Sequence, residues 1–126
     1  MPSHVHLIIS SADNNLSDIM RDIKRHTSKA LLKAISDNTQ ESRREWMLWM
    51  FGRAGKRNSN NEVYQFWQQN NHPIELATIE TVEQRLNYLH QNPVEARLVG
   101  YATDYWYSGA RDYEGKTGLL PILFVS

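Results

Sequence analysis

The sequence predicts an α+β fold, and three observations carry that expectation. Short segments of high strand propensity stand near both ends and in the middle: Ser3-His4-Val5-His6-Leu7-Ile8-Ile9, Val63-Tyr64-Gln65-Phe66-Trp67 and Leu119-Leu120-Pro121-Ile122-Leu123-Phe124-Val125. Between them, apolar residues recur at helical spacing over 16–35 and 79–89. The length of 126 residues suits one domain around one core. Along the chain this reads as a His-bearing strand over 1–10 and a basic helical region over 15–57. A strand and a helix follow over 62–92, then an aromatic C-terminal segment over 93–126.

In the first strand, His4 and His6 are two residues apart, which places both imidazoles on one face. Neutral imidazole is the commonest side-chain metal ligand, so the pair is spaced to chelate one cation. The plainer alternative is the polar face of a half-buried strand, with Val5 and Leu7 turned to the core.

Ser10 to Asn15 forms a turn, with Asn15 as N-cap and Asp18 in the first helical turn. Leu16, Ile19, Met20, Ile23, Thr27, Ala30, Leu31, Ala34 and Ile35 then mark an amphipathic helix that ends at Asp37-Asn38. Arg25, Lys29 and Lys33, four apart, form a basic ridge on its other side. Ser42-Arg43-Arg44-Glu45 has the form of a capping box, opening a helix over about 43–53. Its run Trp46-Met47-Leu48-Trp49-Met50-Phe51 covers the whole circumference and predicts burial on more than one side; a base-stacking platform is the other reading. Residues 52–61 read as a Gly/Lys/Asn-rich surface loop. His72-Pro73 marks a turn.

Thr78 caps the next helix, whose stripe is Ile79, Val82, Leu86 and Leu89; Pro93 is expected to end it at Asn92. Tyr88 falls outside that stripe, free to present its hydroxyl, and Asn92 lies one turn on along the same face. Residues 94–99 continue as a turn or short helix up to Gly100. Tyr101, Tyr105, Trp106, Tyr107 and Tyr113 are expected to pack over the core. The tail is an edge strand because of Pro121.

Net charge is zero, but it is unevenly spread. Residues 21–57 hold ten Lys/Arg against four acids, a local +6, and residues 58–126 hold four against eight, a local −4. A basic half can bind nucleic acid in a neutral molecule, because phosphate contacts are local; Arg25, Lys29, Lys33, Arg43, Arg44, Lys56 and Arg57 are the candidates. Ordinary solvated helices give the same pattern. The absence of cysteine excludes disulfides, thiolate metal sites and a cysteine nucleophile. No apolar run approaches the ~20 residues that cross a bilayer, and no signal-peptide pattern opens the chain. The expectation is a soluble cytoplasmic protein without a membrane partner.

Three segments, in order, carry a family likeness: Met1-Pro2-Ser3-His4-Val5-His6-Leu7-Ile8, Tyr88-Leu89-His90-Gln91-Asn92-Pro93-Val94-Glu95-Ala96, and Asp104-Tyr105-Trp106-Tyr107-Ser108-Gly109-Ala110-Arg111-Asp112-Tyr113. With Phe66-Trp67 before the second, the chain resembles the HUH-type single-tyrosine transposases, closest to the REP-associated group. The resemblance implies a ferredoxin-like antiparallel sheet flanked by helices. It implies that His4 and His6 bind Mg²⁺ or Mn²⁺ with Asn92 as a polar third ligand, and that Tyr88 is the nucleophile. The substrate it implies is single-stranded or hairpin DNA, nicked and rejoined through a 5′-phosphotyrosine. Gly109 stands where the family usually has a second Ser. The elements that precede the His strand in the family have no counterpart, so the chain reads as an N-terminally shortened member, and exposed sheet edges then predict a homodimer. Two other readings compete: a remnant that binds DNA without cutting it, and a zinc hydrolase using His4, His6 and His72 or His90, which lacks a clear carboxylate base.

Overall fold

The computed structural model describes residues 3–57 and 63–125. Four α-helices follow in chain order: α1 Leu16–Asp37, α2 Arg44–Lys56, α3 Ile79–Glu95 and the single turn α4 Ala110–Tyr113, with a 3-10 turn at Ala102–Asp104. Two compact units are formed. One joins Met1–Ile8 to Pro73–Ser126, and the other is Ile9–His72. The chain therefore divides after Ile8 and after His72, inside the stretches 1–10 and 62–92 that the sequence treats as continuous.

The expected α+β fold with its ferredoxin-like antiparallel sheet is not what forms: the described residues are helical and contain no strand. The physical reason is pairing. Strand propensity measures fit to a pleated, half-buried surface, and a strand is stable only with ladder partners. Residues 3–9, 63–67 and 119–125 have no such ladder. Several of their apolar side chains accordingly stay in water: Val5 is 61% and Leu7 52% exposed, against the alternative of a half-buried strand with both turned to the core. Part of the expected loop, residues 58–61, and the first residue of the stretch 62–92 lie outside the described residues, as do Met1 and Pro2 of the first motif.

In the Ile9–His72 unit, α1 has Asn15 at its N-cap and Asn38 at its C-cap, at the expected places, but the Asn15 side chain makes no capping bond. The expected capping box at Ser42 is also absent. Arg43 occupies the N-cap and α2 runs to Lys56, past Gly52 and Gly55. Gly55 is the reason the chain can fold back here. A Cβ at that position would meet the Val63 carbonyl oxygen at 2.5 Å and Tyr64 Cα at 2.9 Å, so only glycine lets the returning segment lie on the helix. That approach is fixed by Gln65 N–H donating to the Phe51 carbonyl at 3.0 Å. Phe51 and Phe66 stack at 4.9 Å, and Trp67 Nε1 donates to Thr27 Oγ1 of α1 at 2.9 Å. The expected burial of α2 all round does not occur: Trp46 and Trp49 are 56% and 58% exposed.

The other unit is built on α3. Thr78 accepts from Thr81 N–H at 3.2 Å, as its capping role predicts. The helix does not stop at Asn92 but continues through Pro93 to Glu95. Proline this near the end removes one intrahelical bond only, and Pro93 is fully buried, so packing outweighs the loss. Leu98 N–H then reaches the Pro93 carbonyl and Arg97 N–H the Val94 carbonyl, both at 2.9 Å, with Arg97 at φ 58. This is a Schellman termination with a non-glycine residue in the left-handed region. Replacing Arg97 by Gly should stabilise the fold by about 0.5–1 kcal/mol in denaturant titration.

Asn92, Pro93, Thr103 and Ala110 form the small buried centre. Around it, Arg111 lies over the Trp106 ring at 3.9 Å and donates to the Thr103 carbonyl at 3.1 Å and the Thr117 carbonyl at 3.2 Å. The Tyr113 hydroxyl accepts from Val125 N–H at 2.8 Å and so holds the tail, which is not an edge strand. The aromatic stretch covers the core only in part, since Tyr107 is 80% exposed.

Candidate functional site

His4, His6 and Tyr88 come together within the unit that α3 organises. The two imidazole centroids are 4.9 Å apart at 89°, and His6 meets the Tyr88 ring edge-on at 5.8 Å and 81°. An extended segment suffices to put alternate side chains on one side. Tyr88 projects from the middle of α3, 45% exposed, off the face that carries Leu86 and Leu89.

The donor set suits a cation held at two points. With metal–nitrogen bonds of ~2.1 Å, two ligating rings have centres ~4.6–5.3 Å apart for angles of about 90–109° at the metal. The observed 4.9 Å falls in that interval. Ser3 Oγ lies 3.0 Å from His4 Nδ1; with Nδ1–H donating to the hydroxyl, Nε2 keeps its lone pair for a cation. Partial desolvation, followed by the charge of His4, pulls the His6 pKa below the usual imidazole value, so the ring stays neutral and competent to ligate at neutral pH. Among the described residues, no three of His, Cys, Asp and Glu gather into a metal site. Beyond the two imidazoles, further ligands would be amide, water or phosphate oxygen.

Asn92 is on α3 one turn beyond Tyr88, but it is buried, at 9% exposure, and its Nδ2 has no hydrogen-bond partner. Arg85 was not singled out in the sequence, yet its Nε is likewise buried and unpartnered. It sits three residues before Tyr88 and seven before Asn92, so all three share one side of the helix. The helical spacing i, i+3, i+7 was the signal that could have found it.

His90, on another side of α3, packs on Tyr113 at 5.2 Å, and Tyr113 packs on Phe124 at 5.0 Å. Burial lowers the His90 pKa. A histidine that is harder to protonate folded than unfolded contributes stability that is whole above pH ~6.5 and is lost as pH falls through the lower folded value. Thermal unfolding should therefore shift to lower temperature as pH falls below ~6.5, and His90→Gln should flatten that dependence.

The seven basic candidates all belong to the Ile9–His72 unit. Arg25 and Lys29 are exposed and form no ion pair among the described residues, whereas Lys33 pairs with Asp37 and Arg43 with Glu41 at 3.2 Å. Arg44 is half-buried and donates from Nε to the Ser36 carbonyl at 2.7 Å. Lys56 and Arg57 are exposed at the end of α2. The ridge is thus less free than the bare charge count suggests. No protein-family model matches the chain, and neither does any curated protein or solved structure. No described helix is long and apolar enough to cross a membrane.

Proposed function

We propose that this chain nicks and rejoins single-stranded or hairpin DNA by transesterification, with Tyr88 as nucleophile. The observation that carries the reading is the juxtaposition of His4, His6 and Tyr88, residues more than eighty positions apart in the sequence. The resemblance of three ordered segments to HUH single-tyrosine transposases supports it. The Tyr88 oxygen attacks the scissile phosphorus, the bond to the 3′ oxygen breaks, and a 5′-phosphotyrosine and a free 3′-hydroxyl result. The phenolic proton passes to solvent, which the exposed ring admits. The covalent link keeps the phosphodiester energy, so the reverse attack rejoins the strand without ATP.

His4 and His6 would hold Mg²⁺ or Mn²⁺, which when bound polarises the phosphate; two imidazoles favour Mn²⁺. Arg85 and Asn92 lie on the tyrosine side of α3, but Arg85 Nε and Asn92 Nδ2 are buried, so neither nitrogen faces a phosphate. Phosphate contact at Arg25, Lys29, Lys56 and Arg57 supplies affinity, and a cytoplasmic location suits such a substrate. Titration with Mn²⁺ should give weak, saturable binding to the wild type that His6→Ala lowers about 10–100-fold and that declines as pH falls through the lowered His6 value. Unchanged affinity in that variant would remove the metal from His6.

A second reading, DNA binding without cleavage, is favoured by the burial of Asn92, which withholds the expected third ligand. Shift and nicking assays run side by side in Mn²⁺ separate the two. A homodimer is proposed as well, because Leu16, Ile23 and Leu31 of α1 and Trp46 and Trp49 of α2 are exposed. Sedimentation at micromolar concentration should give twice the chain mass; a monomer at all concentrations rejects it.

A further inference from the structure

A cleft of about 430 Å³ opens between α2 and the returning segment, with Trp49, Gly52, Arg53, Lys56 and Tyr64 among the residues lining it. The geometry points to a binding site for a single unpaired nucleotide here, its base against Trp49 and Tyr64 and its phosphate at Arg53 and Lys56. Four observations converge on that ligand class. The volume is within the range of small-molecule sites and large enough for one nucleotide. Both aromatic rings are exposed, which leaves π-surface for a base to cover. The Arg53 guanidinium lies over the Trp49 ring, 5.4 Å from its centre, so one face carries a cation and a base would use the other. Among the described residues no acidic side chain lines the cleft, and its two cations make it complementary to phosphate.

The site is held open by backbone and not by side-chain packing alone. A Cβ at Gly52 would meet Tyr64 Cε1 at 3.3 Å, and Gly55 admits the Val63 backbone. The pair of glycines one turn apart lets Tyr64 stand against α2, while Gln65 N–H pins the segment to the Phe51 carbonyl. An apolar peptide would have no use for two cations, and an acidic peptide none for two bare rings. A base with an attached phosphate uses both.

The test is equilibrium binding of fluorescein-labelled dT12 by anisotropy over a series of salt concentrations. Trp49→Ala is expected to weaken binding roughly five- to hundredfold. Arg53→Ala is expected to lower the slope of log K against log salt by about 0.7. Both positions are exposed, and an unchanged helical circular dichroism signal verifies the fold. A twelve-residue abasic strand should bind the wild type as poorly as dT12 binds Trp49→Ala. Free dTMP distinguishes the source of the ligand: competition at micromolar concentration assigns the free nucleotide, and competition only at millimolar concentration assigns the strand. Wild-type binding by either variant, no binding of dT12 or dTMP at all, or equal competition by a twelve-residue Asp peptide would overturn the site. The cleft lies in the Ile9–His72 unit, and the measurement calls on no chemistry of Tyr88, so this inference and the nicking reading stand or fall separately.

Discussion

Tyr88→Phe is expected to abolish the covalent protein–DNA adduct that the proposed reaction forms. The change removes one oxygen, the atom that would bond to phosphorus, and leaves the ring that meets His6 at 5.8 Å. Mn²⁺ binding at His4 and His6 and the helical signal should be unchanged, because neither depends on the hydroxyl. The measurement is a slow-migrating band in denaturing electrophoresis after incubation with 5′- or 3′-labelled single-stranded DNA and Mn²⁺. The label must follow the 5′ side of the break. An adduct in the Phe variant, or a label on the other side, refutes Tyr88 as nucleophile.

The second large effect is structural. Gly55→Ala should destabilise the Ile9–His72 unit by about 1–2 kcal/mol. Alanine is the better helix former by ~1 kcal/mol, which alone would stabilise α2. Against this, the new methyl would lie 2.5 Å from the Val63 carbonyl oxygen and 2.8 Å from its carbon, both backbone atoms that cannot rotate away. Overpacking of this kind costs ~1–3 kcal/mol, and the Gln65–Phe51 hydrogen bond is lost if the segment moves out. Gly100→Ala is the matched control. A Cβ there meets nothing within 4 Å, so the substitution should be neutral or slightly stabilising. Because Gly100 lies outside the helices, equal effects at the two positions would show that the close approach at Gly55 carries no cost.

Helices were legible because periodicity and caps are local. The stripe from Leu16 to Ile35 and the Thr78 cap mark α1 and the start of α3 at the places where the chain forms them. Their ends were less so. Pro93 carries a strong local stop signal, but its side chain is the best-buried in the structure, and tertiary packing overrides the signal. Strands were misread for a deeper reason. Val, Ile, Tyr and Phe at 3–9 and 63–67 report a preference for a pleated surface, while the hydrogen bonds that make a sheet come from elsewhere in the chain and leave no local mark. The site shows the same split. The His-x-His spacing and the isolation of Tyr88 from its apolar stripe were visible in the sequence, and the rings do meet. The burial of Asn92 and the spare nitrogen of Arg85 depend on what packs against α3, which no spacing reveals.

The absence of a ladder on residues 3–9 makes the two halves of the candidate centre unequal. Tyr88 is carried by a capped helix with a buried end, whereas no backbone hydrogen bond among the described residues anchors the imidazoles. Undocking them therefore costs far less than melting α3, and their amides should exchange with deuterium long before those of that helix. A cation or a DNA strand engaging all three rings must first select the docked form, so its apparent affinity is scaled down by the docked fraction. A covalent tether between the histidine segment and the tyrosine helix would raise that affinity without adding a single contact to the ligand.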